Sequence, residues 1–128
     1  VNEELKQLIV SGDTQSILLQ SIHETLQRYE CTKKYNALIA ERVRTEEAMG
    51  PIEFDMRAQA ISEGGNDKAR DALYKSKLID HVEYQELVRS RRESMILEAD
   101  LMAEIKLHRD LCRIYTVSAE AIVQAQKG

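Results

Sequence analysis

Apolar residues recur along this chain at helical spacing and almost nowhere in the strict alternation of a half-buried strand. Residues 2–10 (NEELKQLIV) put Leu5, Leu8 and Ile9 on one side of a short helix, which Ser11-Gly12-Asp13 ends. Asp13 or Thr14 then accepts from the free N–H groups of the next helix. From Thr14 the period is sustained. Ile22, Tyr29, Asn36 and Val43 lie seven apart, and Leu18, Thr25, Thr32 and Ile39 fill the seam positions between them. Leu19, Leu26, Ala37 and Ala40 widen the stripe.

Gly50-Pro51 interrupts this pattern. Proline has no N–H and its ring clashes with the preceding turn, so it either kinks one long helix or opens a new one. Ser62-Glu63-Gly64-Gly65-Asn66-Asp67 is the clearest turn in the chain. Gly64 suits the left-handed conformation that ends a helix, and Asn66 or Asp67 suits the next N-cap. No Gly or Pro follows until the last residue, so the spacing predicts a single helix over 67–126. Its seam is a heptad. Leu87, Ser94, Leu101, His108, Tyr115 and Ile122 form one row; Arg91, Glu98, Ile105, Cys112 and Ala119 form the other.

These elements predict an all-α protein of one domain over 1–128. It comprises a short N-terminal helix (1–12), a first arm (13–63) with a break or kink at 50–51, and a second helix (67–126). The simplest arrangement folds the arms into a long, coiled-coil-like antiparallel hairpin, in which facing residues have numbers summing to about 130. That register sets Val43 by Leu87, Tyr29 by Leu101 and Ile22 by His108. It also sets Asn36 opposite Ser94, with Arg91 and Glu98 nearby, as a polar seam layer that penalises slipped pairings. The apolar stripe is wider than one hairpin partner covers, so a homodimer forming a four-helix bundle is expected. The rival is cover by the N-terminal helix within one chain.

Composition narrows the function classes. Of the 128 residues, 31% are charged and 43% hydrophobic, which suits a folded protein, and 5 glycines with one proline cannot turn an all-β sandwich. No apolar run approaches a membrane span, and no charged start followed by an apolar stretch marks a secretion signal. The chain opens on Val1, which leaves its natural start open. A net charge of -4 does not favour a generic polyanion binder. Cys31 and Cys112 have no CxxC spacing, and two free thiols suit a reducing cytoplasm.

Two constellations carry candidate chemistry. His23, His108 and Cys112, with Glu24 and Glu104 in reach, offer imidazole, thiolate and carboxylate ligands for a metal. Against that, a seam histidine commonly makes one hydrogen bond and a buried cysteine acts as a small hydrophobe, so no cofactor is expected. A di-iron reading needs Glu-x-x-His, which neither His81 nor His108 supplies. Lys33, Lys34, Arg89 and Arg92 are the candidate partner-binding cations, for another protein or, as the alternative, for nucleic acid. No phosphate loop, nucleophile elbow or HExxH motif is present, so no enzyme is expected.

The segments KARDAL (68–73), VEYQEL (82–87) and LCRIYT (111–116) resemble a loose group of small helical proteins encoded by bacteriophages near homologous-recombination genes. In that group an acidic-aromatic-arginine element closes the second helix. Ile114-Tyr115-Thr116 stands there in this chain without its tryptophan or arginine. The resemblance covers somewhat over a third of the chain, Lys68 to Tyr115. It implies an accessory phage protein in the bacterial cytoplasm, and no site residue.

Overall fold

The structure, a computed structural model, describes residues 3, 4, 7 and 13–127. Its elements are α1 (Thr14–Ser62), α2 (Asp67–Asp80) and α3 (Val82–Lys127), and no strand occurs among the described residues. Of the short helix expected over 2–10, Glu3, Glu4 and Gln7 are described and helical. Leu5, Leu8, Ile9 and the Ser11-Gly12 break lie outside the described residues. No helix among the described residues is long and apolar enough to cross a membrane.

The caps follow the sequence. The Ser16 N–H donates to Asp13 Oδ1 at 3.0 Å, and the Ser16 hydroxyl donates to Asp13 Oδ2 at 2.6 Å. These bonds to its ionised form hold the Asp13 carboxyl below its usual range. Gly64 and Gly65 take φ of 83° and 95°, and the Asn66 side-chain Oδ1 accepts from the Ala69 N–H at 2.8 Å. Pro51 sits inside α1, which continues through it. The carbonyl that loses its helical donor there is that of Glu47, and Glu47, Gly50 and Pro51 are all exposed, so water can serve it.

The expectation of one unbroken helix over 67–126 is corrected at His81. Side chains make the break without glycine or proline. His81 leaves the helical region at ψ 104°, and its N–H bonds Leu78 O. Its ring Nδ1 accepts from the Tyr84 N–H at 3.1 Å, so it caps α3. Gln85 Nε2 donates to the same Leu78 carbonyl at 2.8 Å. Replacing His81 with Ala is therefore expected to cost about 1 kcal/mol in urea unfolding, and His81→Asn to restore most of it. Equal stability of His81→Ala and the native chain contradicts the capping role.

The chain divides into two compact units, Val1–Tyr35 with Ala99–Gly128, and Asn36–Glu98. In the first, α1 packs antiparallel on α3. Ser21 meets Cys112 and Thr116, Glu24 meets His108, and Cys31 meets Glu104. Ile17, Tyr115, Ala119 and Ile122 form its core, with Leu111 packed against it. In the second, Leu38 meets Ser94 and Glu53 lies by Tyr84, again antiparallel. There α2 folds back on the end of α1. Arg57 stacks 3.7 Å from the Tyr74 ring centroid and Lys77 pairs with Glu63 at 3.1 Å.

The α3 seam is the one the sequence predicts; every member from Leu87 to Ile122 is buried or half-buried. The α1 seam is not. Its inward rows are Ile17, Glu24, Cys31, Leu38, Thr45, Ile52 and Ser21, Arg28, Tyr35, Arg42, Met49, Met56, all buried or half-buried. The expected row Ile22, Tyr29, Asn36 and Val43 is exposed instead, as are Leu18 and Thr25. A helix bearing two stripes at heptad spacing turned the more polar one inward.

Candidate functional site

The inward face of the first unit is chemically mixed. The Ser21 hydroxyl lies 3.3 Å from Cys112 Sγ and 3.1 Å from the Thr116 hydroxyl, and the Thr25 hydroxyl lies 3.2 Å from the same sulfur. The hydroxyls of Thr25 and Thr116 also sit within 2.9 Å of the Ser21 and Cys112 carbonyls respectively. Each hydroxyl has one proton. With both threonines bonded to backbone, the Cys112 thiol donates and every proton is placed. When Ser21 and Thr25 turn to the sulfur instead, they stabilise a thiolate, which draws the Cys112 thiol below its ordinary range.

Cys31 is the opposite case. It is buried and donates to Glu104 Oε2 at 3.4 Å, and burial followed by that carboxylate pushes its thiol up. Alkylation by iodoacetamide near pH 7 is accordingly expected to modify Cys112 several-fold faster than Cys31, as read by peptide mass spectrometry. Equal rates at the two positions contradict the assignment.

One turn before Cys112, His108 Nδ1 is hydrogen-bonded to Glu24 Oε2. Both side chains are largely inward, so each finds its partner within the seam. The proposed metal trio does not assemble. His23 is exposed, and no group of three His, Cys, Asp or Glu side chains among the described residues is placed to hold a metal ion.

The polar layer of the second unit differs from the expected one in its α1 member. Ser94 and Glu98 are buried and Arg91 is half-buried, but Asn36 is exposed. Arg42 takes its place. Its Nε lies 3.1 and 2.8 Å from the two Glu98 oxygens, and its Nη1 donates to Glu46 at 2.9 Å. Ser94 donates to the Leu38 carbonyl and lies 3.4 Å from Glu98. The two carboxylates hold the Arg42 guanidinium in its charged form. Arg42 and Glu46 are absent from the candidates read from sequence. The row 21, 28, 35, 42, read at heptad spacing from Ser21, is the signal that finds Arg42.

The candidate cations are all exposed. Lys33 and Lys34 belong to the first unit, and Lys33 lies 5.7 Å over the Tyr29 ring. Arg89 and Arg92 belong to the second.

The most unusual surface is apolar. On α1, Leu19, Ile22, Leu26 and Tyr29 are each more than half exposed, and Phe54 reaches 79%. On α3, Leu107 and Val117 are also more than half exposed. No protein-family model, no curated protein and no solved structure matches the chain.

Proposed function

We propose that this chain is a non-enzymatic helical interaction protein. It presents a helical surface to a macromolecular partner and works as a dimer that completes a four-helix bundle. One observation carries the reading. Large apolar side chains face outward on both long helices, while serines, carboxylates and arginines occupy the inward seam. Soluble monomers rarely expose contiguous apolar patches beyond a few hundred Å², and larger patches mark sites that another molecule covers. The resemblance over Lys68 to Tyr115 extends the proposal to an accessory protein of a phage, acting in the host cytoplasm.

Photo-crosslinking in cells tests this. A photoreactive residue at Leu26 or Phe54 is expected to trap a defined protein adduct, identified by mass spectrometry. The same residue at the exposed, polar Lys68 is expected to trap none. Adduct patterns identical at all three positions sink the reading.

A second reading, a nucleic-acid-associated accessory factor, is favoured by Lys34, Arg89 and Arg92. They are exposed and make no ion pair among the described residues. Phosphate contact needs such free cations. Absence of a gel shift with duplex or single-stranded DNA at micromolar protein and low salt removes it.

A further inference from the structure

We infer that the uncharged outward face of α1 between Gln15 and Tyr29 is the seat of a second copy of this chain. This rests on the reading that the protein acts by pairing helical faces, and it names the partner and the residues of one such face.

The first observation is how charge is sorted. Between Gln15 and Tyr29 the exposed residues are Gln15, Leu18, Leu19, Ile22, His23, Thr25, Leu26 and Tyr29. None bears a fixed charge. The two formal charges of that stretch, Glu24 and Arg28, are both turned inward and half-buried. A helix whose outward face met only water would have the reverse pattern. The second unit supplies the contrast within the same helix. Between Ala40 and Ile61 its outward face is broken by the exposed charges Glu41, Arg44, Glu47, Asp55 and Arg57.

Absence of charge also selects the occupant. In a two-fold contact the same patch lies on both partners, so any charge near the axis meets its own copy. This face has none to repel. A membrane-surface helix would carry Lys and Arg along its flanks, and within this stretch the sole cation, Arg28, points into the seam. A nucleic-acid partner would likewise require cations.

The second observation is exposure. The large apolar residues of this face, Leu18, Leu19, Ile22, Leu26 and Tyr29, are 44% to 60% exposed within one chain. Five such side chains on about three helical turns form the kind of contiguous apolar patch that another molecule covers.

Sedimentation equilibrium of the full chain decides the matter. At roughly 1 to 100 µM, the native chain is expected at twice its 14.7 kDa mass. Leu26→Glu and Ile22→Lys are expected to weaken pairing at least ~100-fold and to sediment as single chains. Both positions are more than half exposed within one chain, so helicity by circular dichroism should hold at concentrations where all species are monomeric. If it does not, Leu26→Ser and Ile22→Ser carry the same test. Mixing Leu26→Glu with Leu26→Lys is expected to restore the double mass. Phe54→Glu, the same kind of change in the second unit, should leave the mass doubled. A native chain that stays at single mass overturns the inference, as does a dimer indifferent to positions 22 and 26. Binding of anionic lipid vesicles by the native chain, abolished by Leu26→Glu, also overturns it. A monomeric native chain that still crosslinks another protein from Leu26 would refute the second copy, and the dimer with it, and leave standing the presentation of a helical surface to another protein.

Discussion

Ile17→Ala is expected to destabilise the protein by about 3 kcal/mol, within the ~2–5 kcal/mol range for emptying a large aliphatic site. Ile17 is 0% exposed and packs with Tyr115, Ala119 and Ile122, the other buried members of this core among the described residues. Truncation removes both the transfer free energy of the side chain and the packing of the cavity wall. Against a total stability on the order of 5–15 kcal/mol, the loss should lower the midpoint of thermal unfolding by roughly 10 °C. Phe54→Ala is the control. Phe54 is 79% exposed, and its removal should cost under about 1 kcal/mol at concentrations where the chain is monomeric. Ile17→Ala within 1 kcal/mol of the native chain would mean that the first unit is not held by this cluster.

Glu98→Ala is expected to cost about 2 kcal/mol, because a charged hydrogen-bonding group is removed from a buried position. Arg42 Nε loses both of the carboxylate oxygens it lies against. Arg42 keeps Glu46 and some contact with water, so its own loss is softened. Replacing both Arg42 and Glu98 with Met should recover most of the stability, since a buried ion pair seldom outperforms an apolar pair of similar size. What the pair supplies is register: a one-heptad slip would strand Glu98 opposite an apolar position. A double-mutant cycle in urea with no coupling between positions 42 and 98 would contradict this account.

The α3 seam is legible in the sequence because its two rows contain Leu87, Leu101, Ile105, Tyr115 and Ile122, and the polar interruptions cluster at Ser94 and Glu98. The caps are legible because Asp13 or Thr14, Gly64, and Asn66 or Asp67 carry the chemistry those positions need, and the structure uses Asp13, Gly64 and Asn66. The α1 seam is not legible by the same means. Hydrophobicity selects Ile22, Tyr29 and Val43, and the fold sets these outward. Pattern reading assigns the most apolar stripe to the nearest packed helix, and in α1 the stripe that packs is the more polar one. The inward row begins one residue earlier and includes Ser21, Glu24, Arg28 and Arg42, which only cross-strand partners make tolerable. Those partners sit far away in sequence. The Glu24–His108 contact falls among groups that sequence places in reach, whereas Arg42 does not. The break at His81 is hidden for another reason. A ring nitrogen and the Gln85 amide supply what glycine or proline would otherwise mark.

The scarcity of apolar burial on the inward seams has a calorimetric consequence. Unfolding a typical chain of this length raises the heat capacity by about 1.5–1.9 kcal/mol/K, a rise that newly hydrated hydrocarbon drives and newly hydrated polar groups reduce. Here much of what becomes hydrated is hydroxyl, carboxylate and guanidinium, whose hydration works in the opposite direction. The increment for the single chain should fall below that range. Its free-energy curve against temperature is then broad and shallow, with cold unfolding displaced further below freezing.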